Sequence, residues 1–119
     1  GSGSPPATPP TTTPVSGKVY LPSGSVLNGG RVMFKPKIKG NQEAIGEINT
    51  DGSFKLTSYN KDDGAIVGEY VVVLDKISYK SGSAVEVNAN IPAKYRNEST
   101  SDLVVSVNDT QSEYPIRLK

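Results

Sequence analysis

Few residues in this chain have the types and spacing that chemistry needs. Asp51 with Asn49, and Asp62 with Asp63, stand in short polar stretches ending in glycine (Asn49-Thr50-Asp51-Gly52 and Asp62-Asp63-Gly64). A hard cation such as calcium gathers its oxygen ligands from tight loops of this kind. Those stretches hold only three carboxylates, and no bidentate Glu follows at the spacing of an EF-hand loop, so both read as turns. No metal site and no cofactor is expected. The 6 tyrosines, with no tryptophan, offer another chemistry. A flat ring covers the apolar face of a pyranose while its hydroxyl hydrogen-bonds. Tyr20 falls on an outward strand position and Tyr59 and Tyr79 in or near loops, which makes these three the candidate ligand-binding residues, for a glycan. Tyr70 and Tyr114 are expected in the core, and Tyr95 as a loop anchor over one end.

Arg31, Lys35, Lys37 and Lys39 form a basic stripe that could meet an anionic polysaccharide or phosphate. Alternating lysines also keep an edge strand from pairing with a neighbouring molecule, and that reading is preferred. An intramolecular Lys–Asn isopeptide needs a buried Lys beside a buried Asn and acid; Lys18 faces outward and Asn108 ends a strand, so neither is well placed. Asn97-Glu98-Ser99 and Asn108-Asp109-Thr110 are glycosylation sequons that matter only in a eukaryotic source. No local periodicity places two carboxylates together for general acid–base work. With no Cys and no His, a disulfide scaffold, a thiol nucleophile, a Ser-His-Asp triad, a Cys/His zinc site and a His-ligated haem are excluded. The 13 basic and 12 acidic residues leave a net charge of +1, which is no electrostatic footprint for nucleic acid or an anionic membrane. The chain is not expected to be an enzyme.

The elements that must position these residues are strands. Residues 1–14 contain only Gly, Ser, Pro, Ala and Thr, cannot bury area against the cost of ordering, and read as a disordered linker biased to extended polyproline II. From Val15 the apolar period is two: Val15, Val19 and Leu21; Val32 and Phe34; Phe54 and Leu56; Leu103, Val105 and Val107; Tyr114, Ile116 and Leu118. Gly68–Asp75 is apolar on both faces, the mark of a central strand. Val85 and Val87 belong to a short strand or an ordered loop. Asp51-Gly52 between alternating runs signals a hairpin with a type I′ turn. Pro115 cannot donate to a ladder, so the last strand should lie at an edge or be bulged. Helix is limited to a single turn near Pro92-Ala93-Lys94-Tyr95. About seven strands over residues 15–119 predict an all-β, immunoglobulin- or transthyretin-like sandwich of Greek-key type, with a small barrel as the competing closure.

Several of these segments, taken in order, resemble a known family. Val15-Ser16-Gly17-Lys18-Val19, Asn28-Gly29-Gly30-Arg31-Val32-Met33-Phe34, Thr50-Asp51-Gly52-Ser53-Phe54-Lys55-Leu56, Asp63-Gly64 through Gly68-Glu69-Tyr70-Val71-Val72, Ile91-Pro92-Ala93-Lys94-Tyr95 and Tyr114-Pro115-Ile116-Arg117-Leu118 are similar to the carboxypeptidase regulatory-like domains of exported, often lipid-anchored planctomycete-type bacterial proteins. The resemblance spans residues 15–119. It implies a transthyretin-like β-sandwich with no known catalytic activity. Ile66-Val67 stands where that family often has Pro-Pro, which puts the rigidity of the loop in question. Transthyretin-like hydroxyisourate hydrolases depend on histidines, and this chain has none.

These observations lead to a non-catalytic, extracytoplasmic module with a structural or protein-interaction role at the cell envelope, or alternatively a carbohydrate-binding module using exposed tyrosines. A Pro/Thr-rich spacer ahead of a folded module is what remains after an export or lipid-anchoring signal is removed, so the expected home is the periplasm, an outer-membrane-anchored lipoprotein or the secreted fraction. The expected partner is an envelope protein or polysaccharide. Nucleic acid and direct membrane insertion of the folded domain are not expected, and the domain is expected to be a monomer.

Overall fold

The computed structural model describes residues 11–38, 40–79, 82–87 and 89–119. Residues 1–10 of the expected linker, and Lys39 of the basic stripe, lie outside these. The run that is apolar on both faces forms β7 (Gly68–Asp75), which lies between β3 (Arg31–Pro36) and β10 (Val104–Val107), both antiparallel to it. A strand flanked on both sides has its backbone groups paired, and its side chains can be apolar on both faces. Tyr70, Val72 and Leu74 point into the core, while Val73 is buried on the opposite face with Met33 as its cross-strand partner. β4 (Ala44–Glu47) completes a four-stranded sheet of order β10-β7-β3-β4. A second sheet, of order β11-β2-β5, is built from β2 (Ser16–Tyr20), β5 (Ser53–Lys55) and β11 (Ile116–Arg117).

The buried positions of both sheets form one core. Phe34 of the larger sheet lies 6.3 Å, centre to centre, from Phe54 of the smaller, and 5.8 Å from Tyr70, in the tilted geometry that aromatic pairs prefer. The architecture is all-β and consistent with a β-sandwich. Eleven strand segments occur among the described residues; β1 (Thr12–Thr13) pairs with β6 (Ala65–Ile66), and β8 (Ile77–Ser78) with β9 (Val85–Glu86). Among the described residues the one helical turn is a 3-10 turn at Ala93–Arg96, which buries Tyr95. No helix among the described residues is long and apolar enough to cross a membrane.

Pro115 and its neighbours behave as their sequence predicts: β11 pairs with β2 alone and so lies at an edge. Its pairing is parallel, which alternation does not reveal. The stripe carrying Arg31, Lys35 and Lys37 does not protect an edge strand, contrary to the expectation from its alternating lysines. β3 is interior, bonded on both sides, and its cations answer acids on the same sheet face: Arg31 meets Asp75 at 2.8 Å and Lys35 meets Glu43 at 2.6 Å.

The hairpin also departs from the expected turn type. It forms at Asp51-Gly52, but only Gly52 (φ +84°) is in the left-handed region, so the turn is not type I′. The Asn49 N–H donates to the Ser53 carbonyl at 2.8 Å and the Gly52 N–H to the Asn49 carbonyl at 2.9 Å, leaving a three-residue loop closed by glycine. The arms belong to different sheets. β4 pairs with β3 and β5 with β2, and besides the turn the arms join where Ile45 and Thr57 exchange backbone hydrogen bonds of 3.0 and 2.9 Å. The backbone pairing also begins ahead of Val15, because Thr12 and Thr13 pair with Ile66 and Ala65. Strand pairing uses main-chain groups, so a segment without apolar side chains can still join a ladder.

The three buried tyrosines each fasten another segment of the chain. The Tyr70 hydroxyl donates to the Ile66 carbonyl at 2.5 Å. The Tyr114 hydroxyl accepts the Asn108 N–H at 3.0 Å and donates to the Gln111 carbonyl at 2.9 Å, as a tyrosine corner does in immunoglobulin-type domains. The Tyr95 hydroxyl accepts the Lys119 N–H at 3.1 Å.

Candidate functional site

Because the two arms of the β4–β5 hairpin diverge into separate sheets, a furrow of about 770 Å³ runs between them. Glu43, Ile45, Glu47 and Asn49 line it from the β4 arm, and Lys55, Thr57, Lys61 and Asp62 from the β5 arm and the loop beyond. Tyr79 also lines it. Tyr79 follows β8, whose Ser78 hydroxyl donates to the Glu47 carboxylate at 2.7 Å, and this bond sets the β8 end beside β4.

The Tyr79 ring is held from one side. The Arg31 guanidinium carbon lies 5.1 Å from its centre, a cation–π distance. Register places Arg31 directly between Asp75 of β7 and Glu47 of β4. The hydrogen bond to Asp75 raises the Arg31 pKa against the lowering effect of burial. Burial on its own would raise Asp75, but the Arg31 hydrogen bond and the Ile77 N–H outweigh it and hold the carboxyl below its ordinary range. This row of Asp75, Arg31 and Glu47 escaped sequence reasoning. The charges are 16 to 44 positions apart in sequence, and only the strand order brings them together.

In the two candidate calcium stretches the Asp51 and Asp63 carboxylates are taken up by local hydrogen bonds. Asp51 Oδ1 accepts both the hydroxyl and the N–H of Ser53, at 2.5 and 3.0 Å, and these bonds lower its pKa. The Asp63 carboxylate accepts the N–H groups of Ser58, Tyr59 and Asn60 at 2.7, 3.1 and 3.0 Å. Burial pushes Asp63 up, and the three bonds more than reverse that. Asp62 has φ +58°, which lets its N–H reach the Thr57 hydroxyl at 2.9 Å. Among the described residues no three His, Cys, Asp or Glu side chains are grouped as a metal would need.

The structure does not bring Tyr20, Tyr59 and Tyr79 to one patch. Tyr20 is on the outer face of the smaller sheet, with the Arg117 guanidinium 4.8 Å from its ring. Tyr59 is near enough to Tyr70 to influence its hydroxyl, whose pKa is raised chiefly by burial. Tyr70 and Asp75 are five residues apart on β7, about 17 Å, so Tyr59 and Tyr79 sit toward opposite ends of the larger sheet. Lys18 is exposed, as alternation requires. Asn97 and Asn108 each accept the N–H and hydroxyl of the Ser or Thr two residues on.

The chain matches no protein-family model. No curated protein aligns with it. Among solved structures, a 9R-lipoxygenase from Cyanothece PCC8801 is similar at 15% identity and a TM-score of 0.43, over 98% of this chain and 18% of that one. A likeness at that level assigns neither a fold family nor an activity.

Proposed function

We propose that this chain is a non-catalytic, extracytoplasmic module with a structural or interaction role at the cell envelope, its partner an envelope protein or polysaccharide. In this reading the seven strands of the two main sheets form a transthyretin-like sandwich of Greek-key type and carboxypeptidase regulatory-like character. The module acts as a monomer behind a Pro/Thr-rich spacer, without cofactor and without contact to nucleic acid. One observation carries the non-catalytic part. The shifted carboxylates and cations Asp51, Asp63, Asp75, Arg31 and Lys94 are held more firmly in their charged forms by hydrogen bonds within the fold, and burial moves the Tyr70 hydroxyl further above neutral pH. A general acid or base has the opposite character, with a pKa brought toward the working pH. The ordered series of motifs and the composition of residues 1–14 support the envelope assignment. Tyr79 beside a furrow that carries both charged and amide side chains favours polysaccharide as the partner.

The test is retention of the immobilised module on the source envelope fraction, untreated, after protease and after periodate oxidation of glycans. Binding that is lost in one treated arm supports the reading and names the partner's class. Absence of retention in the untreated arm removes the interaction role and leaves a structural one.

A further inference from the structure

We propose that the furrow between the arms of the β4–β5 hairpin binds a neutral, flat-ringed oligosaccharide, with Tyr79 as its stacking platform. This rests on reading the chain as a non-catalytic recognition module and specifies what it recognises.

The platform is preorganised. Tyr79 is 51% exposed, yet its ring does not hang free, because the Arg31 guanidinium lies 5.1 Å from its centre and is itself bonded to Asp75 at 2.8 Å. Binding to a ring already held in place loses little further side-chain freedom. The cation takes one side of the ring, and the exposed remainder is the apolar, flat surface that the axial hydrogens of a pyranose cover.

The furrow supplies the polar half of sugar recognition. Glu47 and Asn49 on one wall bring acceptors and an amide, and Lys55 and Lys61 on the other bring donors. Sugar hydroxyls both donate and accept, and a site mixing the two kinds in small number is how such a ligand is oriented. The charges almost cancel. Of the lining acids Glu43, Glu47 and Asp62, the first is paired with Lys35, and the two lining lysines, Lys55 and Lys61, offset the charge of the other two. A polyanion or polycation gains little there, whereas a neutral chain meets no repulsion. From Glu43 to Asn49 the β4 wall extends about 20 Å, the reach of several sugar rings.

The experiment is isothermal titration of the protein with cellohexaose, xylohexaose and mannohexaose, with oligogalacturonate as the anionic control and chromatography of the sugar afterwards. At least one neutral hexaose is expected to bind. Tyr79→Ala is expected to weaken it about tenfold, the scale of one lost aromatic platform. Tyr79→Phe, which keeps the ring, is expected to stay within about twofold, as are Tyr20→Ala and Tyr59→Ala. Amide shift changes on titration should cluster at residues 45–61 and 79. No binding of any neutral hexaose, equal loss in Tyr20→Ala, or preference for oligogalacturonate overturns the inference. If envelope binding persists in that case, the broader reading stands. Shortening of the hexaose during incubation would instead overturn the non-catalytic reading.

Discussion

The carbonyl oxygen of Thr13 occupies the space that a β-carbon on Gly64 would need. Gly64 also has φ +93° and donates its N–H to the Leu56 carbonyl at 2.9 Å, so the backbone there has no room to shift. Gly64→Ala is therefore expected to cost about 1–3 kcal/mol and to detach β1 from β6. Hydrogen exchange should show the amides of residues 12–13 and 65–66 losing protection before the rest of the fold. Unchanged protection there, with an unchanged urea midpoint, would refute this.

Tyr114→Phe removes one oxygen and leaves the Asn108 N–H and the Gln111 carbonyl without their buried partner. The expected loss is about 1–3 kcal/mol, the cost of stranding a buried polar group. Urea unfolding measures it, and a change under about 0.5 kcal/mol would mean that water replaces the hydroxyl.

Acid should weaken the fold through Asp51, Asp63 and Asp75. Each has a folded pKa below the ordinary aspartate value of about 3.9, so the unfolded chain takes up protons first. Their contribution is complete above that value and is lost as pH falls through the folded pKa values. Asp63→Asn places an amide nitrogen or loses a charge where three N–H groups converge. It is expected to cost about 1 kcal/mol at pH 7 after allowance for solvent screening. Thermal melts from pH 7 to pH 2 should show the variant losing less stability on acidification than the parent, and parallel curves would count against the assignment.

Phe34 touches both Phe54 across the layers and Tyr70 on the neighbouring strand. Phe34→Ala is expected to cost about 3–5 kcal/mol, a large share of the roughly 5–15 kcal/mol that holds a typical domain folded. Phe34→Leu keeps most of the volume and should remain folded with a lower melting temperature, so the pair of variants separates lost packing from a failure to fold. Equal melting temperatures for Phe34→Leu and the parent would place the core elsewhere.

Alternation made the facing of side chains legible. Val19, Val32, Phe34, Val107, Tyr114 and Ile116 are all buried as their parity predicts. Pro115 marks an edge, Gly68–Asp75 a central strand, and the Pro92-Ala93-Lys94-Tyr95 segment the neighbourhood of a single helical turn. What parity leaves open is which strand lies beside which. That is why alternating lysines suggest an edge where β3 is interior, why nothing local connects Arg31 with Asp75 and Glu47, and why the spacing of the three candidate tyrosines does not say whether they share a surface. The hairpin's position was legible from Asp51-Gly52, but its geometry depends on which residues close the ladder, here Asn49 and Ser53. Of the candidate tyrosines, Tyr79 alone lines the furrow, and nothing local in the sequence distinguishes it from Tyr59.

The parallel pairing of β2 and β11 also has a mechanical meaning. The first strand of the core enters at Ser16 and the last leaves past Arg117, side by side and pointing the same way, with bonds of 2.8 Å from Ser16 to Ser112, Tyr114 to Ser16 and Leu118 to Tyr20. A pull applied between residues 15 and 119 runs along those strands, so it strains the slanted bonds of a parallel ladder together and does not open them one after another. Tension on this module is thus met in shear, the loading direction in which a strand pair resists extension best.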